Sequence, residues 1–161
     1  MTNPSKNSVQ KALPFKNKLG FTGLPNEIFH IYVSHPKFNG NCVLVYMCLL
    51  DHYNEREKYA WPTQDQIADA TFISRKSVRK LLKTLEEVEL IRILYNADYG
   101  NHAYIPLKPV STREEFEAKF PLAIEKRRKF EESREADKAD RGKRQADFRA
   151  AVADLHATQQ N

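Results

Sequence analysis

The nine residues 75–83, RKSVRKLLK, hold five cations and no acid. Their spacing sorts by angle. At ~100° per residue of an α-helix, Val78, Leu81, Leu82 and Leu85 fall in an arc of about 100°, while Arg75, Lys76, Arg79, Lys80 and Lys83 fall in an arc of about 140° on the other side. Such a helix turns its apolar stripe to a core and all its cations outward. A solvated helix face ordinarily mixes acids among the bases, as this chain does freely from residue 114 onward. A stripe of one sign is instead the footprint of a polyanion binder. Groove geometry gives this chemistry its shape. The major groove of B-DNA, ~12 Å wide, admits one helix, and an arginine can bond guanine O6 and N7 together, for ~1–3 kcal/mol of discrimination. Ser74, Arg75, Lys76, Ser77 and Arg79, on the first turns, are therefore the candidates for reading bases. Lys80 and Lys83 lie further along and suit phosphate, as do Thr63, Gln64 and the free N–H groups at the start of the preceding helix.

Several elements must hold that segment in place. Phe21–Leu24 reads as an extended piece turning into a short helix after Pro25-Asn26-Glu27. Asn39-Gly40-Asn41 is a cap signal before Cys42–Tyr53, an apolar stretch free of Gly and Pro that predicts a buried helix. Asn54–Lys58 is a polar loop, ended by Trp61-Pro62. Thr63-Gln64-Asp65-Gln66 matches a capping box and predicts a helix over 64–70. Thr71-Phe72-Ile73 breaks it, and Ser74 caps a second helix running from Arg75 to about Glu87. Leu90–Tyr95 and His102–Leu107 read as strands flanking the turn Asn96–Asn101, a β-hairpin. The order helix, helix, three-residue turn, helix, hairpin is that of a winged helix-turn-helix. The fold class is mainly α with a small β-hairpin (α+β), in three parts: a flexible basic arm over 1–19, the winged domain over 20–110, and a charged helical tail over 111–161. In the tail, Ser111 or Thr112 caps a helix on which Phe116 and Phe120 can dock back. Ile124–Gln145 predicts an exposed, partly frayed helix broken near Gly142, and Phe148, Val152 and Leu155 form a last small apolar face.

The residues Trp61-Pro62-Thr63-Gln64-Asp65-Gln66-Ile67-Ala68, then Ile73-Ser74-Arg75-Lys76-Ser77-Val78, then Leu85-Glu86-Glu87-Val88-Glu89-Leu90-Ile91 resemble a pattern of bacterial winged-helix proteins. The segment from Phe21 to Leu107, with Leu24-Pro25-Asn26, is similar to the N-terminal winged-helix domains of plasmid and phage replication initiators and to related regulators of mobile elements. The resemblance implies double-stranded DNA as partner, bound through the helix that opens at Arg75. Two positions depart from it. Phe72 and Glu89 stand where such families usually carry glycine, so Phe72 is expected to avoid positive φ or carry strain, and Glu89 removes the easy helix stop. The wing departs as well. Its tip has Asp98, Tyr99, Asn101 and His102, with no cation between Arg92 and Lys108. That composition argues against minor-groove insertion and leaves Asn96, Asn101 and His102 as phosphate partners. The arm, with Lys6, Lys11, Lys16 and Lys18 and no acid, is the better supplementary contact, Lys16 and Lys18 lying nearest the domain.

Composition excludes other classes. The chain has 161 residues and a net charge of +5, room for one domain with extensions. The longest apolar run, Cys42–Leu50, is far short of the roughly 20 residues a spanning helix needs, so no membrane role is expected. Only two cysteines, six positions apart and without a CxxC, predict small buried thiols and neither a disulfide framework nor a zinc site. His30, His35 and His52 are dispersed, no nucleophile and base are grouped, and no glycine-rich phosphate loop is present. The expectation is a cytoplasmic protein that is not an enzyme and uses no cofactor or metal. Phe29, Phe38, Tyr46 and Tyr53 read as core aromatics, and Trp61 as a core or boundary residue packing its loop onto the first helix, a base-stacking platform being the alternative. Because one helix reads few base pairs, self-association or tandem binding on repeats is expected; a larger replication or transfer complex is the other partner to consider.

Overall fold

The computed structural model describes residues 13–98 and 100–159. Lys6 and Lys11 of the arm and Tyr99 of the wing tip lie outside the described residues. The chain opens with an irregular segment in which Leu24 packs against the core, and then forms α1 (Asn26–His30) and a 3₁₀ turn over Tyr32–Ser34. Asn39 caps α2 (Gly40–Asp51), its side chain accepting from the N–H groups of Asn41 and Cys42. The helices α3 (Gln64–Thr71) and α4 (Arg75–Glu87) follow, then the antiparallel pair β1 (Ile91–Asn96) and β2 (Asn101–Pro106), with Ile91 opposite Pro106 and Tyr95 opposite His102. The sequence placed each strand within one residue of these bounds. It did not foresee a short third rung, in which Ala60 and Tyr104 exchange both backbone hydrogen bonds (2.7 and 2.9 Å) and fasten the loop before α3 to the wing.

One core lies between α1, α2, α3, α4 and the base of the hairpin. Val45, Leu49, Ile67, Val78, Leu85, Leu90 and Ile91 are buried in it. The core continues past residue 110. Thr112 caps α5 (Arg113–Lys119), which buries Phe116 against Tyr32 with ring centroids 4.6 Å apart. The Tyr32 hydroxyl in turn accepts the Val110 N–H at 3.0 Å. The chain then turns at Phe120-Pro121 into α6 (Leu122–Gln159), anchored by buried Ala123 and by Lys126, whose ammonium donates to the carbonyls of Val33 and His35. Arg127 forks onto Glu117 (2.7 and 3.2 Å), ties α6 to α5, and holds the Glu117 carboxyl below the usual carboxylate range.

Three expectations are corrected and one is resolved. First, α6 is continuous through Gly142. A glycine inside a helix costs roughly 1 kcal/mol relative to alanine, and the flanking Ala, Lys, Arg and Gln together with i,i+4 pairs such as Arg144–Asp140 outweigh it. Second, Trp61 and Phe29 are exposed, at 46% and 56%. Pro62 takes the buried position beside Trp61, and on the short α1 it is Ile28 that faces inward, so its neighbour turns out. Third, of the two outcomes expected of Phe72 the one taken is positive φ with its strain: φ is 55° and the side chain is 97% exposed. Fourth, Glu89 stops α4 itself: it takes φ 58°, its N–H bonds the Glu86 carbonyl, and the Leu90 N–H bonds that of Leu85, the hydrogen-bond pair with which a C-terminal glycine usually ends a helix. Phe38, Tyr46 and Cys42 are buried as expected, while Tyr53 and Cys48 are half-buried. Among the described residues, no helix is long and apolar enough to cross a membrane.

Candidate nucleic-acid interface

The angular sorting of α4 is realised in three dimensions. Val78, Leu82 and Leu85 are buried, and Arg75, Lys76, Arg79, Lys80 and Lys83 are all exposed. Burial of those three side chains holds the helix by ~1.5–3 kcal/mol each and leaves its opposite face no role in packing. Ser74 caps it: the Ser77 N–H donates to Ser74 Oγ at 3.2 Å, and the two hydroxyls bond each other at 2.9 Å. Both serines therefore sit at the exposed N-terminal end, where the helix N–H groups concentrate positive potential.

The helix before it is set by the expected capping box. The Gln66 N–H donates to Thr63 Oγ1 and the Thr63 N–H to Gln66 Oε1, at 3.1 and 2.8 Å. Thr63 spends its hydroxyl there, while the N–H groups of Gln64 and Asp65 at the next positions have no intrahelical acceptor. Between this end of α3, the cationic face of α4 and the hairpin lies an open cleft of about 720 Å³. Thr63, Gln64, Arg75, Arg79 and Lys83 line one side of it, and Asn101 and His102 the other. These candidates from three separate stretches of sequence thus share one surface. Lys76 and Lys80 stand exposed on the same helix outside the cleft lining. Lys16 and Lys18 are exposed in the irregular segment before α1, and no hydrogen bond or ion pair ties them to α4.

Asn101 uses one of its two amide N–H groups and its amide oxygen within the protein. Its Nδ2 donates to the Trp61 carbonyl at 2.9 Å and its Oδ1 accepts the His102 N–H at 2.8 Å, so it straps the wing to the loop before α3. His102 is half-buried between the rings of Tyr95 and Tyr104.

Three residues of the cleft escaped the sequence reading. Asp65 Oδ1 lies 3.5 Å from Arg75 Nε, an exposed ion pair and the only one that engages the cationic stripe among the described residues. Its signal was the acid in the first turn of α3, which reads equally as dipole stabilisation. Glu86 Oε1 accepts the Ile93 N–H at 2.9 Å, so that carboxylate is committed to the base of the wing. Tyr104 is 1% exposed and its hydroxyl finds no hydrogen-bond partner of normal geometry; burial pushes its pKa up to about 12, Gln64 beside it offsetting only part of the effect.

A helix-turn-helix domain model matches residues 39–91, from the cap of α2 to the first residue of β1. No curated protein and no solved structure matches the chain. The cationic α4 takes the place of the motif's second helix, the one that enters the groove when such domains bind DNA, and the matched helix-turn-helix segment is followed by a two-stranded wing and a helical extension.

Proposed function

We propose that this protein binds double-stranded DNA sequence-specifically through α4 and works by binding rather than by catalysis. It would act in the cytoplasm, in the replication, transfer or transcription control of a bacterial plasmid, phage or conjugative element. The observation that carries the proposal is the five exposed cations of α4 set against its buried Val78, Leu82 and Leu85, on a surface shared with the N-terminus of α3. The mobile-element context rests on the sequence resemblance alone. Arg75 and Arg79 read base edges, with Ser74, Lys76 and Ser77 beside them, while Lys80, Lys83 and the first N–H groups of α3 hold phosphates.

Footprinting and gel-shift titration on the DNA flanking its own gene test this. The Arg75→Ala/Arg79→Ala variant is expected to lose about tenfold to a hundredfold of its preference for the footprinted site over a scrambled one. Lys80→Ala or Lys83→Ala should instead weaken all duplexes alike and reduce the salt slope by about one. Unchanged affinity and preference in the double arginine variant would refute the assignment. A second reading is favoured by Phe148 and Leu155, which stand 68% and 64% exposed on α6: docking into a larger replication or transfer complex, or onto a second copy. Failure to bind any duplex at about 0.1 M salt, with a complex partner recovered instead, would select it.

A further inference from the structure

The duplex reading leaves a cluster of aromatic residues unused. Beside the DNA-facing cleft, and sharing Asn101 and His102 with it, lies a second pocket of about 410 Å³. Its walls are Tyr59, Trp61 and His102, with Glu57 and Asn96 also lining it. The Tyr59 and Trp61 rings stand 5.3 Å apart, near edge-to-face, and Tyr95 lies 5.2 Å from His102 across the hairpin. Tryptophan normally buries most of its large apolar surface, yet Trp61 is 46% exposed and Tyr95 64%. The Asn101 strap to the Trp61 carbonyl and the rung between Ala60 and Tyr104 hold this exposed ring in place. Among the described residues no lysine or arginine lines the pocket, so its lining does not suit phosphate.

We infer that this pocket takes an unpaired nucleobase from a strand at the edge of the duplex bound by α4. Aromatic faces stack on any base whose own faces are uncovered, and a base inside a duplex is covered on both sides. Trp61-Pro62 leads directly into Thr63 and the phosphate-facing start of α3, so a strand held there passes the pocket with its next nucleotide. Glu57 and Asn96 offer an acceptor and an amide to the base edge. The inference accounts for a wing rich in aromatic and amide groups but without a cation between Arg92 and Lys108. It rests on the duplex reading for its neighbour, and the test separates the two.

The full chain is titrated with a blunt duplex, with the same duplex carrying a short single-stranded overhang, and with a free mononucleotide. Trp61, the single tryptophan, reports by its fluorescence. The overhang is expected to bind about tenfold tighter than the blunt duplex and to quench Trp61. Trp61→Leu should abolish that gain while leaving blunt-duplex affinity unchanged, and Tyr95→Ala should reduce it. Equal affinity for both duplexes without quenching overturns the inference and leaves the duplex reading standing. Overhang binding with quenching but no blunt-duplex binding supports the pocket and overturns the duplex reading. Quenching by the mononucleotide with no overhang gain overturns the assignment to a strand.

Discussion

Arg75 comes to its ligand already engaged by Asp65, an ion pair that is more than half exposed on both sides. An exposed pair adds little stability; under the proposed duplex reading its weight falls on recognition, where the carboxylate would repel phosphates and compete with a guanine for the guanidinium. Asp65→Asn is therefore expected to raise affinity for all duplexes severalfold and narrow the gap between cognate and scrambled sites, with a small loss of stability, ~0.3–1 kcal/mol, from the first turn of α3. Gel-shift titration and thermal melting measure the two effects. Phe72 makes a different prediction. A left-handed backbone costs a residue with a β-carbon ~1–2 kcal/mol, and a side chain 97% exposed recovers none of it by packing. Phe72→Asn is expected to stabilise the protein by ~0.5–1 kcal/mol in urea denaturation, because asparagine tolerates that backbone. Phe72→Gly should gain less, since glycine also loosens the unfolded chain. The presence of a residue at position 72 that the backbone disfavours was legible in the sequence; its φ was not, because the geometry of the turn overrides the local preference.

The elements of the domain were the most legible part. The angular separation of leucines from cations fixed both the buried face and the exposed, cationic face of α4, and Ser74, Thr63 and Asn39 marked three helix starts through side chains that do cap them. The wing strap was hidden because Asn101 and the Trp61 carbonyl lie forty positions apart, a contact with no local pattern. The continuity of α6 was hidden for the opposite reason. Gly142 is a real local weakness, and only the sum over 38 residues decides against it. A β-carbon at that position meets open space, so Gly142→Ala is expected to raise local helix stability by ~1 kcal/mol. Hydrogen exchange of the amides around residue 142 is the measurement, and slower exchange confined to α6 the outcome, with the melting of the domain unmoved.

At the scale of the whole molecule, stability is tied to pH through His35. It is 7% exposed between the 3₁₀ turn and α5, edge-on to Phe116 and Phe120. Burial first, then the charge of Lys37, hold its pKa below 6.5; Glu87 pulls the other way, and Lys126 adds a still smaller downward push. The unfolded chain therefore takes up the proton first, so stability is complete above pH 6.5 and declines as pH falls from there toward the native value. Denaturation at about pH 7.5 and pH 5.5 should show the loss, and His35→Asn should flatten it by removing the titrating group. The other feature at this scale is α6. From Arg128 to Thr158 none of its side chains is buried, and 38 residues at ~1.5 Å each make a rod about 57 Å long. A small domain is only about 30 Å across, so hydrodynamic drag rather than mass governs how this molecule travels. A single copy should elute from a sizing column ahead of compact proteins of 18.7 kDa, and light scattering rather than elution volume will count the subunits.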